Sequence, residues 1–367
     1  MRKGILAVAT TGALALTGLA ACGNNNSSGG SSGSSGAAKQ PYVGVILPDS
    51  KTSARWEGAD RPYLEQAFKD AGVKYDIQNA QGDKNAFQTI ADQMLTKGVN
   101  VLVIVNLDSG TGKAVLDKAK AQGVATIDYD RLTLGGGADY YVSFDNVKVG
   151  ELQGQGLQKC LTDMGVTKPT VAELNGSPTD NNATLFAQGY NSVLDPLYAN
   201  GTFVKGPNQS VPDWDNTQAG TIFEQMLTST SAIKGVLVAN DGMANSVISV
   251  LKKNSLNGKV PVTGQDATVQ GLQHILDGDQ CVTVYKAVKK EAKSTADLAV
   301  ALAKGQNPST TQSLKDPTSG KQVKSVLETP VAIYKDNVKD VVADGYVSKN
   351  DLCAGAYAAK CTAAGIS

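Results

Sequence analysis

Apolar and polar residues follow two recurring patterns along this chain. From Pro41 onward, short runs rich in β-branched residues alternate with longer segments in which apolar residues recur at helical spacing. The apolar runs predict strands at 42–48, 73–80, 99–105, 124–130, 140–145, 170–176, 235–240, 259–266 and 281–286. The amphipathic segments predict helices at 57–71, 85–97, 110–122, 147–163, 181–195, 216–229, 241–254 and 287–304. This alternation predicts an α/β fold of parallel sheets flanked by helices.

The number of strand–helix units exceeds what one open sheet usually holds, which favours two smaller doubly wound sheets. We expect the chain to pass from the first to the second near 144–146 and to cross back later. No complete phosphate-binding or nucleophile motif is present: SGTGK at 109–113 lacks the P-loop spacing and is interpreted as a helix N-terminus. The sequence therefore predicts no cofactor. In open α/β sheets ligands bind beyond the carboxyl ends of the strands, so the residues there are the candidates for a site.

The first forty residues have the pattern of a targeting segment followed by a tether. Arg2 and Lys3 precede an apolar stretch that ends in the sequence LAAC at Cys22. This ending resembles a bacterial lipobox, which predicts a signal peptide over 1–21 and a lipid on Cys22. Residues 22–40 then form a disordered linker rich in Gly and Ser. An ordinary signal peptide with a nearby cysteine is the alternative. Either interpretation predicts an extracytoplasmic protein, and the lipobox predicts a membrane-anchored one.

Charge and histidine content exclude several classes of function. The 34 basic and 34 acidic residues cancel, so nothing in the net charge indicates binding to nucleic acid. The single histidine, His274, lies in a predicted helix and is interpreted as a packing or surface residue. Catalytic triads and most zinc sites need histidine, so the sequence predicts neither a metal site nor an enzyme.

Export would permit disulfide bonds. Besides Cys22, the chain contains Cys160, Cys281, Cys353 and Cys361. Four cysteines allow three pairings, among which the sequence does not decide. We favour Cys353–Cys361, because this short loop would tie down the C-terminal tail.

Side chains suited to sugar recognition recur where the predicted strands end. They are Arg55, Trp56, Asp130, Arg131, Asp180, Asn182, Asn240, Asp266 and Lys286. A sugar offers hydroxyls that both donate and accept hydrogen bonds, and an apolar ring face that an aromatic side chain covers. Each residue also has a purely structural interpretation: Asp180 and Asp241 as helix caps, Arg131 paired with Asp130, and Trp56 in the core. The recurrence of these types at equivalent topological positions favours a site.

Several stretches make a family resemblance specific. They are ARWEGADR (54–61), IDYDR (127–131), YYVSFDNVKVGELQG (140–154), NGSPTDNNATLF (175–186), VANDGMA (238–244), GQDATVQG (264–271) and VTVYK (282–286). The chain thereby resembles the D-xylose-binding proteins of bacterial ABC importers. The resemblance implies two Rossmann-like lobes joined by three hinge strands, with the ligand cleft between them. We expect an N-terminal lobe from 41–145 plus about 267–286, a C-terminal lobe from 146–266 plus about 287–330, and a hinge strand and tail over 331–367.

The resemblance also implies a function. The sugar ligands of the family fall on the nine polar and aromatic residues named above, with Trp56 stacking on the sugar ring. A second stacking tryptophan is expected where this chain has Ser210, and Trp214 is the candidate to replace it. The expected protein is a monomer that binds a monosaccharide, D-xylose first, and delivers it to a membrane permease.

Other functions stay open at this point. The same fold would serve for glucose, arabinose, ribose or another small molecule, or for a chemosensory sugar receptor. A sugar-sensing regulator would need a DNA-binding segment where this chain has its targeting segment and tether. An exported α/β enzyme would need a nucleophile–base pair or a metal cluster, which the single histidine disfavours.

Overall fold

The computed structural model describes residues 40–310 and 312–366. The predicted signal peptide, Cys22 and the linker up to residue 39 lie outside the described residues. Among the described helices, none has both the length and the apolarity needed to cross a bilayer. The strands are β1 (Tyr42–Leu47), β2 (Lys74–Asn79), β3 (Val101–Ile104), β4 (Ala125–Tyr129), β5 (Tyr140–Phe144), β6 (Thr170–Asn175), β7 (Val204–Ser210), β8 (Ile233–Val238), β9 (Thr263–Gln265), β10 (Val282–Tyr285), β11 (Gln312–Lys315), β12 (Gln322–Glu328) and β13 (Val331–Ile333).

The helices follow the predicted alternation. They are α1 (Arg61–Asp70), α2 (Lys84–Thr96), α3 (Ser109–Ala121), α4 (Asn146–Asp163), α5 (Asn181–Ala199), α6 (Asn216–Ser229), α7 (Asp241–Lys253), α8 (Val269–Asp277), α9 (Val288–Ala303), α10 (Val338–Ala343), α11 (Lys349–Leu352) and α12 (Ala358–Ala363). A π-helical turn, Trp56–Asp60, precedes α1. The predicted α/β class, with parallel sheets flanked by helices, is confirmed.

The first lobe is built on a seven-stranded sheet in the order β11-β12-β5-β4-β3-β1-β2. All its neighbouring strands are parallel except β11, which is antiparallel to β12. The central strands β1 and β3 are fully buried, as their apolar runs predict. The strand order reverses between β1 and β3, and this reversal point is where doubly wound sheets open a crevice for a ligand.

The second lobe combines two three-stranded sheets, β7-β6-β8 and β13-β10-β9. A bridge between Val236 and Val262 links β8 to the segment before β9, so the two sheets adjoin. Helices α4, α5, α6 and α7 contribute to one large apolar core beneath β6 and β8. The carboxyl ends of β6, β8 and β9 carry the second set of predicted ligand residues.

The chain passes between the lobes three times. The passages follow β5 near Asp145, β10 near Ala287, and β12 at 329–330. At the first and third passages the two segments are joined, because the Asp145 amide donates to the Glu328 carbonyl at 2.9 Å. These passages form the three-segment hinge that the resemblance implies.

The expected lobe boundaries are wrong for two segments. Residues 267–286 were expected in the first lobe, but β10 pairs with β9 and β13 in the second. Residues 287–330 were expected in the second lobe, but α9 packs into the core of the first and β12 pairs with β5. A pattern of alternating strands and helices predicts elements, but it does not show which of two similar sheets each strand joins.

Four strands were not predicted. Strand β7 is mostly exposed and contains Gly206 and Pro207, so it has no apolar run. Strands β11 and β12 form a polar antiparallel hairpin around a turn at Asp316, and the three-residue β13 completes the sheet of β10. Strands β7, β11 and β13 lie at sheet edges, where polar side chains meet water. Strand β12 lies between β11 and β5 and alternates exposed and buried residues at its start.

The structure pairs Cys353 with Cys361 and Cys160 with Cys281. The first pairing is the one favoured from the sequence, and its Cα atoms are 5.8 Å apart. It closes the C-terminal tail, whose apolar residues pack with α8 and β10. The second pairing ties α4 to the residue just before β10.

Candidate ligand-binding site

Equivalent turns in the two lobes present two carboxylates to the cleft. Asp130 directly follows β4, and Asp266 directly follows β9. Both have left-handed backbones, with φ of 61° and 94°. Each amide donates to the neighbouring strand, Asp130 to the Val142 carbonyl and Asp266 to the Val284 carbonyl. Non-glycine residues in this region cost about 1–3 kcal/mol each and cluster at functional sites. Because both residues also line the cleft, their left-handed backbones support a site at this position.

All ten predicted site residues line one small cavity between the lobes. Its volume is about 30 Å³, and its lining comprises Arg55, Trp56, Asp130, Arg131, Asp180, Asn182, Trp214, Asn240, Asp266 and Lys286, together with Thr52, Ser53, Phe186 and Gln265. Ser210, at the exposed end of β7, is not part of this lining. The polar residues that recur at the strand ends thus lie close together in the folded protein.

Direct hydrogen bonds join the lobes across this cavity. Arg131 Nε of the first lobe lies 2.9 Å from Asp180 Oδ2 of the second. Asn182 Nδ2 donates to the Asp130 carbonyl at 2.9 Å and lies 3.1 Å from Asp130 Oδ1. The alternative pairing of Arg131 with Asp130 is therefore not the observed one. Each of these contacts joins a donor of one lobe to an acceptor of the other.

Arg55 is held by three carboxylates of its own lobe. Its guanidinium makes two bonds to Asp60 (2.7 and 2.8 Å), one to Asp130 (2.7 Å) and one to Glu291 (2.6 Å). Those bonds use four of its five N–H donors, which leaves one for a ligand. Arg55 thus orients Asp130 and Asp60 and keeps one N–H donor for a ligand, so its expected role as a sugar ligand stays a prediction.

Burial and neighbouring positive charges shift the pKa values of these carboxylates in opposite directions. Burial raises the pKa of Glu291 well above its ordinary value, and Arg55 lowers it only in part. Burial likewise raises the pKa of Asp60, against the effect of Arg55 and the Tyr129 hydroxyl. For Asp130, burial is outweighed by Lys286, Arg55 and Arg131, which lower its pKa to about 2. Asp130 is therefore a permanent acceptor at neutral pH.

Lys286 lies between the two equivalent carboxylates. Its Nζ is 3.5 Å from Asp130 Oδ2 and 3.3 Å from Asp266 Oδ1, and the side chain is buried. Asp266 Oδ2 accepts from the Ser53 hydroxyl at 2.9 Å. A buried ammonium group shared between two carboxylates keeps donors available for a hydroxyl placed between them.

The two tryptophans of the chain both reach the cavity. The Arg55 and Arg131 guanidinium carbons lie 4.5 and 5.5 Å from the centroid of Trp56. Trp56 also packs in the first-lobe core, so the site and core interpretations both apply to it. Both arginines thus help to fix the orientation of its ring.

Trp214 is fixed by its backbone and by two neighbours. It lies in a left-handed conformation (φ 57°), as does Asp213 before it (φ 51°). Its Nε1 donates to Asp180 Oδ2 at 3.1 Å. A Cβ at Gly176 would lie 2.0 Å from the indole, so only glycine admits the ring there. This geometry supports Trp214 as the second aromatic wall.

Two site residues are also helix caps. Asp180 Oδ1 accepts from the Asn182 amide at the start of α5, and Asn240 Oδ1 accepts from the Met243 amide at the start of α7. The N-cap of α7 is therefore Asn240, one residue before the expected Asp241. Asp241 is buried within the second lobe, and burial raises its pKa to about 7.

Sequence reasoning missed four lining residues and two of the charged residues behind them. Phe186 lies four residues after Asn182 in α5, so helical spacing would have found it. Ser53 and Thr52 follow β1 in the same loop as Arg55. Asp60 and Glu291 had no signal, because neither follows a strand.

Some of the buried polar atoms that lack a hydrogen bond lie at the cavity. Trp56 Nε1 and Gln265 Oε1 are buried and have no hydrogen-bond partner among the described residues, and Asp266 Oδ1 has only the Lys286 ammonium group, at 3.3 Å. Buried polar atoms in native proteins are nearly always paired. A polar ligand with several hydroxyls would supply these partners.

His274 lies elsewhere, buried at the end of α8. Its Nδ1 is 3.9 Å from Asp279 Oδ2, and Asp277 is nearby. Burial lowers the pKa of His274. Lys252 and Lys360 already neutralise the two carboxylates. The position agrees with the expected packing role.

The fold and the site together define a class. The chain belongs to the periplasmic binding protein domain family, whose model matches residues 43–307.

Relatives and structural neighbours are named for sugars. The chain is 35% identical over 317 residues to a D-xylose-binding periplasmic protein of Escherichia coli K12, covering 86% of this chain and 93% of the relative. It is 36% identical over 330 residues to a multiple sugar-binding periplasmic receptor of Rhizobium radiobacter, at the same coverages. A carbohydrate transporter solute-binding protein of Chloroflexus aurantiacus in complex with D-glucose superposes with a TM-score of 0.77 at 30% identity, covering 85% of this chain and 98% of that one.

Proposed function

We propose that this protein is the extracytoplasmic solute-binding component of an ABC importer, and that it binds one monosaccharide between its lobes. D-xylose is the first candidate. The observation that carries the proposal is the convergence of ten polar and aromatic side chains from both lobes on one cavity that also holds unpaired buried polar atoms. Binding and delivery to a permease require no bond to be made or broken.

The direct bonds across the cleft suggest how a sugar would bind. A hydroxyl both donates and accepts, so it can insert between Arg131 and Asp180, or between Asn182 and Asp130, and bond to both. A hydroxyl placed between Lys286 and Asp266 would accept from the ammonium group and donate to Asp266 Oδ1. Because these partners belong to different lobes, the sugar would stabilise the closed arrangement and shift the population towards it. The permease would then recognise the closed form.

Two observations bear on the choice of sugar. The relatives at 34 and 35% identity are named for D-xylose, which supports a pentose. Two structural neighbours at 29 and 30% identity hold glucose, and another relative is named for multiple sugars. Glucose is therefore the second candidate, either beside xylose or in its place.

Calorimetric titration with a monosaccharide panel tests the proposal. We expect D-xylose to bind with 1:1 stoichiometry, to be recovered unchanged, and to bind more tightly than arabinose or ribose. Tighter binding of glucose would move the assignment to the second candidate. No heat and no thermal stabilisation with any sugar would contradict the proposed function.

We also propose that a lipid on Cys22 anchors the protein outside the cytoplasm. The LAAC sequence and the Gly/Ser-rich stretch after it support this. In the native host, Cys22→Ser should move the protein from the membrane fraction to the soluble fraction or leave the precursor uncleaved. The Cys353→Ser variant is the matched control, and it should stay with the membrane. An unchanged membrane fraction for Cys22→Ser would contradict the anchor.

A further inference from the structure

The loop after β1 is ordered by one buried carboxylate. Asp49 is 5% exposed, and its Oδ1 accepts from the Lys51 amide, the Thr52 amide and the Thr52 hydroxyl at 2.7–2.9 Å. The Asp49 carbonyl accepts from Asn79 Nδ2 at 2.8 Å, which ties the loop to the end of β2. A short polar turn of this kind holds its carbonyl groups in fixed directions.

This loop reaches the opposite lobe at two points. Ser53 donates to Asp266, as described for the cavity. Farther out, the Lys51 carbonyl accepts from Asn216 Nδ2 at 3.2 Å, and Asn216 is the first residue of α6 in the second lobe. The second contact joins the lobes without lining the sugar cavity.

The Lys51–Asn216 contact lies between two openings of the cleft. One opening is about 410 Å³ and the other about 500 Å³, and Lys51, Thr52 and Asn216 line both. Thr52 also lines the inner cavity. The loop and Asn216 therefore lie beside the inner cavity, where the two openings meet.

The position of Asn216 depends on a glycine. A Cβ at Gly242, in the first turn of α7, would lie 2.7 Å from Asn216 Oδ1. The three atoms nearest to that Cβ all belong to the flexible amide of Asn216, so a methyl group there would push this amide aside.

We propose that Asn216 is a positioning residue that retains the bound sugar, by holding the Asp49-ordered loop against the second lobe beside the cavity. This inference rests on the proposed function, and it concerns how long the sugar stays rather than which groups recognise it. The contact forms only when the lobes meet. Its loss should therefore raise the dissociation rate while the association rate and the stability of the sugar-free protein stay the same.

The test is stopped-flow fluorescence with D-xylose, or with glucose if glucose binds more tightly, read from the two tryptophans that line the cavity. A single hydrogen bond of ordinary strength corresponds to a rise in dissociation rate of about three- to tenfold for Asn216→Ala. Gly242→Ala should act in the same direction, although alanine favours the helix and should leave Tm unchanged or higher. Asn85→Ala, at an exposed position in the first turn of α2, is the control and should keep the native rates.

The outcomes separate the two proposals. Native dissociation rates in both the Asn216 and Gly242 variants would overturn the retention role while leaving sugar binding intact. A lower Tm for sugar-free Asn216→Ala with an unchanged dissociation rate would also overturn it, since that result indicates a structural residue. Failure of the native protein to bind any sugar would instead contradict the proposed function.

Discussion

Replacing Asp180 with Asn should weaken sugar binding by about 30-fold or more, which corresponds to about 2 kcal/mol at about 1.4 kcal/mol per tenfold. Asp180 accepts from both Arg131 and Trp214 at the cavity. The NH2 group of asparagine is a donor, and it would face the two donors Arg131 and Trp214. The network around a bound sugar would then lack an acceptor at a position from which water is excluded. Arg131→Met should have an effect of similar size. Calorimetric titration measures both.

Asparagine is chosen because Asp180 also caps α5, and asparagine is an equally good cap. Thermal unfolding of the sugar-free variant should therefore differ little from that of the native protein. Asp83→Asn, at the exposed cap of α2, is the matched control and should change neither property. Native affinity in both the Asp180 and Arg131 variants would contradict the assignment of the whole cleft.

Replacing Arg55 with Leu should destabilise the protein by about 3–5 kcal/mol at neutral pH, because three buried carboxylates would lose their common partner. This loss of stability should become smaller as the pH is lowered. Without Arg55 the pKa of Asp60 and of Glu291 would rise further above the unfolded values, so the folded variant would bind protons that the unfolded chain releases. Its stability should therefore fall as the pH rises from the unfolded pKa of these groups towards their raised folded pKa, and recover as the pH is lowered again.

Urea unfolding at pH 5 and pH 7.5 measures this prediction. Arg61→Leu is the control, because Arg61 forms partly exposed pairs with Glu57 and Glu65 that are worth at most about 1 kcal/mol. An Arg55 variant that is no less stable than this control, or whose loss is the same at both pH values, would show that the carboxylates do not depend on Arg55.

The sequence predicted the repeating elements well because their signals are local. Buried parallel strands such as β1 and β3 are continuous apolar runs, and the helices between them are amphipathic. The assignment of β10 and α9 to lobes failed because it depends on pairing with distant strands. Strand β7, at a sheet edge, is mostly polar, and β12, between β11 and β5, alternates polar and apolar residues, so neither has the continuous apolar run that predicts a strand.

The site was predictable to a similar extent. Residues that directly follow strands, such as Asp130 and Asp266, must lie at the cleft once the fold is known. What the sequence did not show is the charge behind them. Glu291 comes from a helix some 160 residues after Asp130 in the chain, and its proximity to Arg55 depends on α9 returning to the first lobe. Arg55 therefore orients Asp130 in addition to its predicted role as a sugar ligand.

The three passages of the chain between the lobes also bear on how the protein is made. Strand β5 is fully buried in the finished sheet, where β12 covers one of its edges. During synthesis that edge stays open until residue 328 has been added, after nearly all of the second lobe. An open apolar edge invites pairing with other chains, and domains that fold early as units avoid this exposure. The first lobe cannot fold early as a complete unit, because its strand β12 is synthesised so late. For the same reason, the first half of the gene alone would not encode a first lobe with a complete sheet.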